Sequence, residues 1–239
     1  MDKDKKSVLE ARKISKVYGK KANRFVALKD IDLKIERGES VAIIGKSGSG
    51  KTTLMHILAL LDSPTTGEMV VGGEKSTKLK KAKLGRLRNR EFGFVFQQFF
   101  MNPNDSVLNN VMLPLKIAGI SAREQKRRAM EALKAVELEE KAKNKANDLS
   151  GGQKQRVCIA RALVNNPKVI FADEPTGNLD SQTGDKVEKL LSKLNKEQGI
   201  TLVVVTHDED LARRCNRQIY LKDGQIIRDE RKKKTGGAR

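Results

Sequence analysis

Gly45-Lys46-Ser47-Gly48-Ser49-Gly50-Lys51-Thr52 fits G-x-x-x-x-G-K-[ST], a phosphate-binding loop. Glycines at this spacing let the backbone turn tightly and aim successive N–H groups at one anion. The helix that follows adds the positive end of its dipole. Lys51 is expected to reach the β- and γ-phosphates of a nucleoside triphosphate. Thr52 would offer its hydroxyl to Mg²⁺, and Thr53 stands beside it. Val169-Ile170-Phe171-Ala172-Asp173-Glu174 is an apolar run that delivers two carboxylates at its end. Asp173 would join the Mg²⁺ shell, and Glu174 would polarise an attacking water as general base. His207 follows a β-branched run and suits a contact to the γ-phosphate. His56, the other histidine, lies inside the helix after the loop and reads as a packing residue. Leu149-Ser150-Gly151-Gly152-Gln153 is a second glycine-rich element ahead of a helix. The Ser150 hydroxyl and the adjacent N–H groups form another anion-binding terminus. A plain serine cap explains Ser150 but not the start of the helix, where Gln153 and Arg156 stand three apart.

These groups need strands and helices to hold them, and the chain alternates between the two. Residues 8–14 and 31–35 read as strands joined by a basic turn over 19–24. Residues 40–44 form a short apolar strand that runs into the glycine loop, and 52–61 a helix. Strand, loop and helix in that order is the context the phosphate loop requires. Residues 92–96 read as a strand and 121–136 as a charged helix, with Ser121 as N-cap and Glu124 three residues on. A helix over 151–164, a strand over 169–172, a helix over 181–197 and a strand over 201–205 complete the pattern. Apolar strands without polar alternation belong in a parallel sheet covered on both faces. The stretch 98–147 carries helices but no phosphate chemistry, and is expected to be a helical subdomain inserted into the nucleotide core. Residues 228–239 are expected to be a mobile basic tail.

Composition sets the outer bounds. A length of 239 residues suits one domain, or one with a subdomain. Apolar runs such as 57–61 and 202–205 fall far short of the ~20 residues a spanning helix needs. No apolar stretch follows the charged N-terminus, so no secretory leader is expected and the chain should stay in the cytoplasm. Cys158 and Cys215 have neither C-x-x-C spacing nor nearby histidines, and read as reduced packing residues. The net charge is +19, and residues 75–90 hold eight basic side chains and no acidic one. Such a surface attracts nucleic acid or the anionic inner face of a membrane. With seven Phe, two Tyr and no Trp, there are few aromatics for base stacking, so no specific nucleic acid is expected.

Five motifs between Tyr18 and Gly224 occur in one family's order, and the chain resembles the ATP-binding subunit of an ABC transporter. The resemblance implies an α/β fold over 1–239: a P-loop NTPase core of mostly parallel sheet with helices on both faces, an antiparallel β part and the inserted helical subdomain. It implies an ATPase using ATP and Mg²⁺. Tyr18 would stack on adenine, with Val26 nearby. Gln97 would sense Mg²⁺ or the attacking water and communicate with a membrane permease, which would dock near Gln97 and the segment 99–105 that starts at Phe99. Ser150, Gly151, Gly152 and Gln153 would close on the γ-phosphate held by a second copy, making a homodimer with ATP at its interface. Asp180, in Gly177-Asn178-Leu179-Asp180, would be the acid of the loop crossing between the sites. Through its permease the chain would lie on the inner face of the cell membrane.

A narrower likeness rests on Arg90-Glu91-Phe92-Gly93-Phe94-Val95-Phe96-Gln97-Gln98-Phe99, on Asn110-Val111-Met112-Leu113-Pro114-Leu115 and on Asp173-Glu174-Pro175-Thr176-Gly177-Asn178-Leu179-Asp180. These are similar to the subgroup of macrolide and peptide exporters, lipoprotein-release complexes and the cell-division ATPase, whose members transmit force to an extracytoplasmic domain. The chain departs from it at Phe100-Met101-Asn102-Pro103-Asn104-Asp105, where a Leu-Leu-Pro segment is usual, and at Cys158, where alanine is usual. Two alternatives stay open: a regulatory ATPase of a cell-wall-hydrolase complex that transports nothing, and a soluble nucleic-acid-linked ATPase. The size of the permease's extracytoplasmic domain would separate the first. The second sits poorly with a single cassette of this length.

Overall fold

The computed structural model describes residues 7–232. A long hairpin opens the fold, β1 (Ser7–Tyr18) against β2 (Phe25–Glu36). Then come β3 (Ser40–Ile44), α1 (Lys51–Leu58), β4 (Thr66–Val71), β5 (Glu74–Lys75), α2 (Lys81–Glu91) and β6 (Phe92–Phe96). Two helices follow, α3 (Val107–Ile117) and α4 (Ala122–Ala135), ahead of α5 (Gly151–Leu163). The chain closes with β7 (Val169–Asp173), α6 (Ser181–Gln198), β8 (Thr201–Thr206), α7 (Glu209–Arg214), β9 (Arg217–Lys222) and β10 (Gln225–Arg231).

Two sheets result. One has six strands in the order β10-β9-β3-β8-β7-β6, parallel except for the β9–β10 hairpin. The other is antiparallel, in the order β2-β1-β4-β5. The unbroken apolar character of β3, β7 and β8 has a simple cause. Val41, Ile43, Phe171, Val203 and Val205 face a core shared with α1 and the antiparallel sheet. Ala42, Ile170, Ala172, Leu202 and Val204 face a second core built with α3, α4, α5 and α6. Both faces of each strand are dry, so neither can be polar. Phe171 anchors the first core, edge-on to Phe92 at 5.2 Å and stacked on Phe94 at 5.9 Å.

The parallel register decides where the chemistry falls. Ile44 lies opposite Thr206, Val205 opposite Asp173, and Asp173 opposite Phe96. The next residues in the chain are therefore Gly45, His207, Glu174 and Gln97. The carboxyl ends of four adjacent strands deliver them to one edge of one sheet, where parallel α/β sheets bind ligands.

Several elements differ from the sequence expectation. The basic run over 75–90 is largely a helix, α2, in which only Leu87 and Glu91 are buried; so little apolar surface left no readable period. The helix α1 stops at Leu58 rather than at 61, because Leu60 takes φ +57° and Leu61 N–H turns back to His56 O. Ser121 occupies the N-cap position of α4, but its side chain accepts no capping bond. Glu124, expected to complete a capping box, is instead gripped by Arg127 and Arg128, which hold its carboxyl down at about 2. Of the expected mobile tail, 228–231 pair with β9 as the end of β10, and 233–239 lie outside the described residues. Cys158 and Cys215 are free and buried, as packing residues should be, and burial pushes their thiols up to about 11 and about 12. No helix among the described residues is long and apolar enough to cross a membrane.

Candidate nucleotide-binding site

The phosphate loop turns on Gly48 at φ +77° and Gly50 at φ +101°, where Gly50 is the N-cap of α1. A side chain at Gly50 would come within 2.6 Å of Ala27 O, so β2 presses directly on the loop. Gly45 is packed as tightly against Leu221 O and the Ser49 hydroxyl. The turn before β10 clasps the far side, with Gly224 N–H donating to Ser49 O at 3.0 Å. Gly48, by contrast, faces open space. Ser49 Oγ is buried without a partner among the described residues, a polar atom left inside the cradle. Lys51 follows Gly50 as the first residue of α1, and its ammonium donates to Lys46 O at 3.0 Å across the loop. Lys46 and Ser47 complete the rim, and Thr52 and Thr53 follow Lys51 in the first turn of α1.

Glu174 is the most constrained residue of the site. Its φ of +44° is a left-handed conformation that a non-glycine residue adopts at a cost of about 1–3 kcal/mol. Glu174 N–H donates to Val205 O at 2.9 Å, and Gly177 N–H to Glu174 O at 3.1 Å, which locks the turn. The carboxylate is held on both oxygens. Oε2 accepts from the Thr206 hydroxyl at 3.0 Å, and Oε1 accepts from His207 N–H at 2.9 Å and lies 2.7 Å from His207 Nδ1. His207 thus orients the carboxylate through one ring nitrogen. The imidazole stays largely exposed, and its other ring nitrogen is left for a ligand.

Asp173 has a different environment. Burial first, and the adjacent Glu174 charge second, push its carboxyl above the usual range, against the pull of His56 and Lys51. Its side chain takes no hydrogen bond among the described residues. A partly buried carboxylate short of donors, close enough to the start of α1 to feel the Lys51 charge, with the Thr52 hydroxyl next in the chain, offers hard oxygens that suit Mg²⁺. Asp173 and Thr52 fit that ion. Gln97 is tied through its nitrogen: its amide donates to Asn178 Oδ1 at 3.2 Å, and Asn178 donates back to Gln97 O at 3.0 Å, while its side-chain oxygen takes no hydrogen bond among the described residues. The loop after Glu174 is thereby laced to the loop after β6.

Tyr18 is 40% exposed and braced from below. Its hydroxyl donates to Asp62 Oδ2 at 2.7 Å, and the Lys16 ammonium sits 4.8 Å from the ring centroid. Burial, then the Asp62 contact, raise the phenol, which a hydrogen bond from Thr53 opposes; Tyr18 therefore stands beside the start of α1. Val26, across the hairpin from Val17, is half-buried. Burial alone would raise Asp62, but Lys16 and Tyr18 outweigh it and hold its carboxyl low.

The second glycine-rich element sits apart. Ser150 caps α5 in a reciprocal box, its hydroxyl accepting from Gln153 N–H at 3.4 Å while Ser150 N–H donates to Gln153 Oε1 at 3.0 Å. An accepting hydroxyl still has its own proton to donate outward. Gly151 lies against Leu179, and Gly152 allows α5 to touch Thr183 in the first turn of α6. Asp180 caps that turn, accepting from Thr183 N–H at 3.0 Å; the Thr183 side chain first, and this backbone bond second, lower its carboxyl. Ser150, Gly151, Gly152 and Asp180 therefore cluster around α6, whereas the phosphate loop is enclosed by β2, β9 and the turn at Gly224. The two glycine-rich elements of the chain thus have different neighbours.

Besides Lys16 and Asp62, Thr206 and Gln155 had no role assigned from the sequence. Thr206 fixes Glu174, and its only signal was its place before His207. Gln155 is a polar residue on the buried face of α5, a signal that was there to be read.

A family model described as ABC transporter matches residues 28–177. The chain is 50% identical to an uncharacterised ABC transporter ATP-binding protein, MJ0796, of Methanocaldococcus jannaschii, covering 94% of this chain and 97% of that protein. The solved dimeric structure of MJ0796 superposes with a TM-score of 0.85, at 48% identity over 93% of this chain and 98% of that one. A second MJ0796 structure with the same score shows a dimeric post-hydrolysis state bound to ADP and Pi. The chain is also 47% identical to a lipoprotein-releasing system ATP-binding protein, LolD, of Syntrophus aciditrophicus, over 92% and 99% of the two chains. CbiO1 of Clostridium perfringens, part of the transporter complex cbiONQ, matches at 31% identity with a TM-score of 0.84, over 94% and 88%.

Proposed function

Because this chain belongs to the ABC transporter family of ATP-binding subunits and is an ATPase, we propose that two copies clasp two ATP molecules and drive a separate membrane permease. The observation that carries the proposal is the split site. The phosphate loop with Asp173, Glu174 and His207 lies at the sheet edge, while Ser150 and the first N–H groups of α5 open beside α6. A head-to-tail pair would set one half against the other. The backbone N–H groups of 45–52 and Lys51 hold the β- and γ-phosphates, and Tyr18 takes adenine on the face not covered by Lys16. Glu174 accepts the proton of a water whose oxygen attacks the γ-phosphorus as the bond to the ADP oxygen breaks. His207 and Thr206 keep that carboxylate aimed. Thr52 and Asp173 would hold Mg²⁺, which would supply positive charge against the phosphates. Loss of the γ-phosphate removes the group both copies grip, and the pair opens. The specific activity of the isolated chain should therefore rise with protein concentration, because each site needs two chains. A specific activity that stays constant over a roughly thousandfold dilution of a chain that remains monomeric throughout would overturn the pair.

The permease is proposed to dock where 98–147, the expected helical insert, meets the core. Phe100, Leu113 and Ile117 are 65%, 49% and 68% exposed and border one groove with Phe94, Phe96 and Arg88. The groove adjoins Gln97, and Arg161 of α5 holds the carbonyls of Phe99 and Phe100 at 2.9 and 2.7 Å. Isolated apolar side chains are ordinary on a surface, but three around one groove mark a contact for a partner. Replacing Phe100 and Ile117 together by Glu should leave the ATPase of the isolated chain intact and abolish co-purification with the permease encoded beside it. Retained co-purification would place the contact elsewhere. The likeness to a lipoprotein-releasing system ATP-binding protein supports lipoprotein release as the work done, with membrane residence coming through the permease.

A further inference from the structure

We infer that Gln155 is a positioning residue, the link inside one chain that ties the helix carrying Ser150 to both loops that carry Gln97 and Glu174. The inference rests on the split-site reading for its purpose, though not for its geometry. Gln155 is 1% exposed, one turn beyond the glycines that open α5. Its Nε2 donates to Pro175 O at 2.6 Å and to Phe96 O at 3.2 Å. Pro175 follows Glu174, and Phe96 precedes Gln97. A single amide thus spans the carbonyls next to the general base and next to the loop glutamine, while its own backbone belongs to the helix whose first turn faces the partner.

Packing does not account for an amide here. Gln155 Oε1 is buried with no hydrogen-bond partner among the described residues. A methionine or leucine would fill the same volume without an orphaned acceptor. The reverse amide orientation would set that oxygen against two carbonyl oxygens, so the neighbours fix Nε2 toward them. The group is held for its two donors. Around it the same helix also holds Phe99 O through Cys158 Sγ at 3.1 Å and through Arg161, so a movement of α5 carries the whole segment after β6. The strained turn at Glu174 has Gln155 as its tie to α5. When the start of α5 closes on the γ-phosphate of the other copy, Gln155 transmits that position to the carboxylate that must meet the water. Contact at one site is thereby made a condition for alignment at the site of the same chain.

The test compares two buried amides of the same design. Asn195, in α6, also donates to two carbonyls, Gly38 O at 3.1 Å and Ile200 O at 2.7 Å, but at the opposite end of the sheet. Gln155→Met and Asn195→Leu each delete one such bridge. At a temperature where both variants are fully folded, Gln155→Met should lower kcat by about 10²-fold, the scale of an ångström-sized misplacement, with KM for ATP near the parent's value. Asn195→Leu should lower the melting temperature and leave kcat unchanged. Gln155→Glu should recover activity as pH falls, because only the protonated carboxyl can donate to Pro175 O. Unchanged kcat in Gln155→Met, or equal loss of kcat in both amide variants, would overturn the inference. Gel filtration of Glu174→Gln with ATP reports the pairing of chains separately. A monomer there, alongside a kcat loss confined to Gln155→Met, would remove the split site and leave the positioning role standing.

Discussion

Glu174→Gln should lower ATP turnover by about 10²–10⁴-fold while ATP still binds. The substitution keeps the shape of the side chain. The carboxamide oxygen can still accept from His207 N–H, and the amide nitrogen can donate to the Thr206 hydroxyl, which is free to rotate. What disappears is the capacity to take a proton from the attacking water. A negative charge facing the γ-phosphate disappears with it. The ATP-bound pair should therefore become long-lived, and gel filtration with ATP should show a dimer that ADP does not support. A monomer at every ATP concentration would sink the two-chain site. A variant that keeps full turnover would show that another group takes the proton.

Ser150→Arg should abolish ATPase activity while a single chain binds ATP as before. Ser150 and the phosphate loop have different neighbours among the described residues: Ser150 bonds to Gln153 and its glycines touch Leu179 and α6, whereas the loop is clasped by Ala27, Leu221 and Gly224. Ser150 is exposed, so a bulky cation at 150 can project outward, where a second chain would have to pack. Loss of the serine cap itself costs about 0.5–2 kcal/mol, so the folded fraction must be checked alongside. Mixing Ser150→Arg with Lys51→Ala chains sharpens the result. In a mixed pair both lesions fall on one composite site and the other is intact, so ATP should drive dimerisation of the mixture more strongly than of either variant alone. Equal weakening of ATP binding in isolated Ser150→Arg monomers would argue that Ser150 serves its own chain.

Much of the chemistry was legible in the residues because it depends on local geometry. The glycines at 45, 48 and 50, the lysine after them and the carboxylates ending an apolar strand each carry their reason within a few residues. The dry strands β3, β7 and β8 announced a doubly covered parallel sheet, since continuous apolar side chains have no other place to go. Cys158 and Cys215 could be set aside on spacing alone. The basic helix α2 stayed hidden because only Leu87 and Glu91 are buried, and periodicity is visible only where burial is. The strands β4, β9 and β10 stayed hidden because pairing partners distant in the chain, not local composition, make them strands.

The tertiary structure decided what each group touches. Nothing in the sequence placed His207 Nδ1 on Glu174 Oε1 or the Gln97 amide on Asn178. The brace of Lys16 and Asp62 beneath Tyr18 joins residues forty-four or more apart. The strained φ of Glu174 is stabilised by Val205, one strand away. Gln155 shows the division most clearly: sequence gives a polar residue on a buried helical face, and only the meeting of α5 with the ends of β6 and β7 gives that amide two carbonyls to hold. Sequence fixes which groups are present and the short-range geometry of loops and caps. Their mutual contacts come from the register of parallel strands, which joins residues far apart in the chain and is set by packing on both faces of the sheet.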